Sequence, residues 1–163
     1  MDVVIFIGSP SDLDVVKDAV DTLKAFDVPF LLEVTSAHRS PARTVDLVRK
    51  CEAEGAEVFI AVAGKAAHLG GVVAAHTTRP VIGVPVESGG LGGLDALLST
   101  VQMPKGVPVA TMGTGKTGAA NAALLAIQIL SVRNVVLRRK LSEFKARMEA
   151  QVEADSEKVK QAL

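Results

Sequence analysis

Tryptophan and tyrosine are absent from this chain, and aromatic residues make up only 3% of it. A core must therefore be built from Val, Ile, Leu and Ala, and the 48% hydrophobic content supplies enough of them. There is a single cysteine, Cys51. That excludes an internal disulfide and suits a reducing compartment. Its expected place is half-buried on a helix, as a small apolar residue. Net charge is missing too: 18 basic and 18 acidic side chains give +0. A partner held by bulk electrostatics, nucleic acid above all, is not what this balance points to. No apolar run approaches the roughly 20 residues of a membrane span. The N-terminus has neither a basic n-region nor a long h-region, so it does not read as a signal peptide. Repeats and low-complexity tracts are lacking as well. What remains is a soluble, cytoplasmic protein, and 163 residues suit one domain.

What is present is a regular alternation. Continuous apolar runs at 3–8, 58–63 and 81–86 predict strands buried on both faces. Further strands are expected at 29–35 and 107–111. Between them, Val15, Val16, Ala19, Val20, Leu23 and Phe26 recur at helical spacing, after Ser11 as N-cap. Ser40 and Pro41 open a second helix, as cap and first helical residue, and Gly55 ends it. A short helix is expected within 64–78, and longer ones at 94–101 and 118–131. The last of these is too apolar for a solvated surface. From about residue 134 the chain turns charged, with Leu141, Phe144, Met148 and Val152 every three to four residues, an amphipathic tail helix. Strands alternating with helices give an α/β domain with a parallel sheet. The reading is a three-layer flavodoxin-like fold in strand order 2-1-3-4-5. It forms a single domain over 1–163, with its core in 1–132 and the tail helix at about 134–163. In such folds ligands sit at the carboxyl ends of the strands.

Four loops fall there. Gly8-Ser-Pro-Ser-Asp12 offers a close backbone approach, hydroxyls on Ser9 and Ser11, and the N–H groups of a helix start. It reads equally as a phosphate cradle or as a capped turn. Asp12 suits ribose hydroxyls rather than phosphate. Ser36-Ala-His-Arg-Ser-Pro41 places His38 and Arg39 side by side, where packing has no use for them. An imidazole can exchange a proton near neutral pH, and a guanidinium can grip a phosphate. Gly64-Lys-Ala-Ala-His-Leu-Gly-Gly71 lets a substrate lie against backbone N–H groups, and His68 reads as structural or substrate-positioning. The fourth, Glu87–Gly93 with Ser99–Pro104, is a Gly-rich segment able to order over a ligand. His76 reads as a surface or capping residue. The three histidines lack the tight spacing of metal ligands, so zinc is not expected.

One motif points elsewhere. Ala110-Thr-Met-Gly-Thr-Gly-Lys-Thr117 approximates a Walker A box. Such a box follows an early strand, and a later strand must end in an Asp that helps hold Mg²⁺. Here only helix remains downstream, no strand ends in such an Asp, and Ala110 stands in the first Gly position. A P-loop NTPase is therefore the distant alternative, and a tight strand-to-helix connection is the preferred reading.

GSPSD, SAHRSP, AGKAAHLGG, PVIGVPV, LLSTVQMPKGVPVAT and NAALLA occur in this order across residues 3 to 131. Together they resemble the N5-carboxyaminoimidazole ribonucleotide mutase family of de novo purine synthesis. The segment AAHL resembles its bacterial mutase class rather than the related carboxylase class, which uses free CO2. Lys65 and Gly70 depart from the usual Gly and Pro, and MGTGKTG departs from a more apolar run. The resemblance implies a homo-octamer with sites at subunit contacts, and neither metal nor organic cofactor. It implies His38 as the general acid/base. Ser9, Asp12 and Arg39 would bind substrate, with Ser11 and Ser36 supporting the ribose phosphate or the ring. Gly64, Ala66, His68 and Leu69 would surround the imidazole ring of the substrate and its migrating carboxylate. Direct CO2-dependent carboxylation is the near alternative; a non-catalytic nucleotide-binding module is a further one.

Overall fold

In the computed structural model, which describes residues 1–162, five parallel strands alternate with helices. β1 (Val3–Ile7), β3 (Val58–Gly64) and β4 (Val81–Val86) are the unbroken apolar runs, and all their residues but Gly64 are buried. A strand covered on both faces has no polar side to show. β2 (Phe30–Val34) and β5 (Ala110–Thr111) form the edges of the order 2-1-3-4-5. Val3 pairs with Phe30 and Val58, and Ile7 with Val34 and Val62. β1, β2 and β3 thus end nearly level, and their outgoing loops leave from one edge.

The helices α1 (Leu13–Ala25), α2 (Pro41–Ala53), α3 (Leu69–Ala74), α4 (Leu94–Val101) and α5 (Gly115–Ser131) follow the strands in turn. Side chains alternate across each strand, so neighbours along the chain enter different layers. Val4, Phe6, Phe59 and Ala61 share one cluster with Val48 and Cys51 of α2, Leu69 and Val73 of α3, and Ala96 of α4. Within it the rings of Phe6 and Phe59 lie 5.8 Å apart at 30°. With both fully buried, truncating either to Ala would cost about 3–5 kcal/mol. Val3, Ile5 and Ile7 face the other layer, and α1 turns Val16, Ala19 and Leu23 inward.

Two compact units are present, Met1–Ile127 and a second from Gln128 onward. The second holds the end of α5 and all of α6 (Val135–Gln161). Asn134 caps α6: its Oδ1 accepts from the N–H groups of Val136 at 3.0 Å and Leu137 at 3.2 Å. Arg138 closes the preceding turn by donating to the carbonyl of Val132 at 2.8 Å. Leu137 and Leu141 are buried, whereas Met148 is 49% and Val152 70% exposed. The amphipathic stripe of the tail helix is therefore covered only at its start.

Several boundaries differ from expectation. The fifth strand keeps only Ala110 and Thr111 in the ladder, opposite Ile82 and Gly83. Pro108 has no N–H to give, which confines such a run to a sheet edge and shortens its pairing. α5 begins three residues before the expected position 118. Cys51 is 1% exposed rather than half-buried, and burial pushes its thiol up.

Candidate active site

The turn after β1 is fixed by Ser9. Its extended backbone (φ −155°) precedes Pro10, which sits at the start of a 3₁₀ turn over Pro10–Asp12. Ser9 Oγ accepts from the N–H of Ser11 at 3.3 Å and the hydroxyl of Ser11 at 2.9 Å. Asp12 Oδ2 accepts from the N–H of Ser9 at 3.0 Å, completing a capping box. The side-chain cap falls on Ser9, two residues before the expected Ser11, because Pro10 extends the helix start backwards. Asp12 is 6% exposed. Burial raises its carboxyl above the ordinary value, while Ser9, Ser11 and Arg39 pull it down.

The turn after β2 is held from beneath. Thr35, 2% exposed, meets Thr44 of α2 through their hydroxyls at 2.7 Å. Ser40 does not cap α2 with its side chain. Its Oγ instead accepts from the Ser36 N–H at 3.0 Å and donates to the Ser36 carbonyl at 3.2 Å. Ser36 Oγ accepts from the Arg39 N–H at 3.2 Å. The Arg39 guanidinium crosses to the neighbouring turn and donates to the Gly8 carbonyl at 2.8 Å. A single side chain thereby ties the ends of β1 and β2 together.

The turn after β3 runs through Gly64, where a Cβ would run into Ser88 Oγ and come within 3.0 Å of the Val86 carbonyl. Glycine is needed there for close packing against the end of β4. Lys65 follows at φ +56°, in the left-handed region. The His68 N–H donates to the Ala66 carbonyl at 2.8 Å, which turns the chain into α3. His68 Nδ1 then lies 2.8 Å from His38 Nε2, with the rings at 75°. One N–H must lie between these nitrogens, so each imidazole constrains the tautomer of the other.

These turns enclose one cavity of about 520 Å³, within the usual range for a small-molecule site. Ser9, Ser11 and Asp12 line it from β1, and Ser36, His38 and Arg39 from β2. Gly64, Ala66, His68 and Leu69 line it from β3. All ten candidate residues are thus brought together. Ala37, Ala63, Lys65 and Ser88 also line it and were not singled out as site residues. Ser88 had one available signal: it follows a strand at the carboxyl edge. Gln102 and Met103 border a shallower neighbouring depression that shares His68. His76 is exposed and bonds the Val72 carbonyl through Nδ1 at 2.8 Å, outside the cavity. Among the described residues no group of three or more His, Cys, Asp or Glu side chains could hold a metal ion. No helix among them is long and apolar enough to cross a membrane.

The Walker-like segment lies elsewhere. Lys116 Nζ is 2.9 Å from Asp14 Oδ2, an exposed ion pair between α5 and α1. Gly118 packs so closely that a Cβ there would collide with the Gly113 carbonyl. The segment is a tight connection with its lysine engaged by a carboxylate.

A parallel sheet with paired imidazoles, a guanidinium and a capped hydroxyl turn around one cavity is the architecture of an α/β enzyme. The family model for AIR carboxylase matches residues 2–151, and the chain belongs to that family. The Methanocaldococcus jannaschii protein described as N5-carboxyaminoimidazole ribonucleotide mutase is 50% identical over 96% of both chains. The Bacillus subtilis protein of the same description is 53% identical over 85% of this chain and 86% of that one. Among solved structures, Treponema denticola PurE superposes with a TM-score of 0.84 at 27% identity, covering 95% of this chain and 96% of that one.

Proposed function

We infer that this chain converts N5-carboxyaminoimidazole ribonucleotide to 4-carboxy-5-aminoimidazole ribonucleotide in de novo purine synthesis. The observation that carries this reading is the His38–His68 pair, set in the same cavity as Arg39 and the Ser9–Asp12 turn. One side of the cavity offers partners for a phosphate and a ribose; the other offers a group that moves protons.

The N–C bond of the carbamate breaks first, releasing CO2, and protonated His38 delivers a proton to the departing nitrogen. Ring carbon C4 then attacks the trapped CO2 and forms the new C–C bond. Neutral His38 takes the C4 proton, so the proton count returns to its start. An imidazole is the side-chain type that serves as acid and base near neutral pH. His68 holds the His38 ring through the Nε2–Nδ1 contact, and backbone N–H groups of 64–69 stabilise carboxylate charge. Arg39 and the Ser9–Asp12 turn bind the nucleotide away from the reacting atoms and position the ring.

Retaining CO2 requires the site to close, yet His38 and His68 are exposed in the single chain. Closure falls to the Gly-rich segment 87–93 and to neighbouring copies in a homo-oligomer, an octamer as the family resemblance implies. Leu94, Leu98 and Val101 of α4 are 58%, 47% and 48% exposed, an apolar face suited to such a contact. The unpaired thiol of Cys51 suits the cytoplasm.

The test offers purified protein each substrate without ATP. Conversion of the N-carboxylated nucleotide is expected; turnover only of aminoimidazole ribonucleotide with CO2 would establish the carboxylase instead. His38→Asn should still bind nucleotide and lose turnover, and substantial remaining activity would overturn the role of His38.

A further inference from the structure

Lys65 lines the cavity next to the residues that the reaction uses. Its backbone lies at φ +56°, a region that costs a side-chain-bearing residue about 1 kcal/mol and favours glycine. Only one other non-glycine residue among those described, Asp27, has positive φ. Its side chain reaches toward the segment after β4: a Cβ at Gly89 would sit 3.8 Å from Lys65 Cε. Among the described residues no carboxylate lies within ion-pairing distance of the Lys65 ammonium. An unpaired lysine is thus kept in a backbone conformation that lysine disfavours, at the lip of the cavity.

The two cations of the cavity sit on different sides of it. In the order 2-1-3-4-5, Arg39 leaves β2 and bonds the turn after β1. Lys65 leaves β3 and leans toward the turn after β4. The His38–His68 pair spans from the β2 turn to the β3 turn in the same cavity. The substrate read above carries two anionic groups, a phosphate at one end and a carboxylate at the reacting end. Arg39 lies beside the hydroxyl turn that suits the phosphate and ribose. The second cation then falls on the side of the carboxylate.

Resting on that functional reading, we propose that Lys65 is a carboxylate-binding, specificity-setting residue, whose ammonium pairs with the migrating carboxylate and favours carboxylated over uncarboxylated nucleotide. A cation on a flexible stem suits this task, because the carboxylate changes position between the exocyclic nitrogen and C4 and the ammonium can follow it.

The test compares Lys65→Met and Lys65→Gly with the unaltered protein in full-length form. Binding of 4-carboxy-5-aminoimidazole ribonucleotide and of uncarboxylated aminoimidazole ribonucleotide is read by calorimetry, beside the KM and kcat of the mutase assay. Both variants should bind the carboxylated nucleotide about tenfold more weakly, the loss expected for one charge-assisted contact. Binding of the uncarboxylated one should stay within about twofold. Lys65→Gly relieves the positive φ, so it should melt no lower than the unaltered protein. Equal weakening for both ligands would place Lys65 at the phosphate and overturn the proposal, and so would unchanged binding of both. If the unaltered protein fails to turn over the N-carboxylated nucleotide, it is the functional reading that falls. Lysine's part is then judged by the two binding measurements alone.

Discussion

His38 Nε2 lies 2.8 Å from His68 Nδ1. The two residues leave β2 and β3, which are not neighbours: β1 runs between them. The contact therefore arches over the end of β1 and joins two turns that no backbone ladder connects. It tolerates one shared proton and not two, because two imidazolium rings would face N–H to N–H.

In the proposed mechanism His68 acts through His38, as a positioning residue. His68→Phe keeps a ring and removes the nitrogen, and should lower kcat at least about tenfold with KM little changed. His68→Asn places an amide near the Nδ1 position and should recover much of the loss. Steady-state kinetics of both variants decide the matter; full activity in His68→Phe would mean that His68 merely fills space.

Beneath the His38 turn, the Thr35–Thr44 hydroxyl pair is buried. Either Thr35→Val or Thr44→Val removes this bond, leaving Thr44 its bond to the Ser40 carbonyl or Thr35 its 3.5 Å contact with Ser40 Oγ, and should cost about 1 kcal/mol in urea unfolding. The double variant should cost less than the sum of the singles. The singles should also lower turnover, because Thr35 adjoins Ser36 and the turn that carries His38.

Asp12 gives a pH dependence of defined sign. Its folded carboxyl lies above the ordinary 3.8, chiefly through burial. The folded protein then binds that proton more readily than the unfolded chain does. The stability that this contributes is full below 3.8 and is lost as pH rises through the folded value. Asp12→Asn should abolish this decline in unfolding experiments across that window. Within the same window the protonated acid is a poorer acceptor for ribose hydroxyls. Nucleotide KM should therefore rise as pH falls, and in Asp12→Asn it should be raised without that dependence.

Lys116→Ala should leave mutase turnover unchanged, since the lysine is ion-paired to Asp14 away from the cavity. No ATP hydrolysis is expected from the unaltered protein. Hydrolysis that disappears in Lys116→Ala would reinstate the nucleotide-triphosphatase reading.

The site was legible where residue type and strand position agreed. SAHRSP put imidazole and guanidinium at a strand end, a place that packing does not explain. AGKAAHLGG was legible through its lack of bulk, which exposes backbone N–H groups. The His38–His68 contact was not, because it depends on the register that sets β2 and β3 level on either side of β1. Thr35 and Thr44 gave no sign of their bond, since a threonine beside a strand or in a helix passes for an ordinary occupant. Ser88 was hidden in a glycine-rich run whose conformation sequence leaves open. Ser9 was read as a loop hydroxyl and not as the cap, because Pro10 starts the helix two residues before the position that Ser11 suggests. The strands themselves read well because three of the five are buried on both faces and so are written as unbroken Val, Ile and Phe.

The two-residue length of β5 bears on how this chain survives its own synthesis. A sheet edge with free N–H and C=O groups is a template on which another chain can add a strand. At β5 the ladder offers only Ala110 and Thr111, and Pro108 beside them has no N–H to lend. The opposite edge, β2, carries Glu33 locked to Arg43 at 2.9 Å, so an incoming strand would meet charge there. A sequence that is 48% hydrophobic has much to lose from edge-to-edge growth. One edge is thus blunted by brevity and the other by charge, and both features oppose the edge-to-edge pairing that leads to fibres.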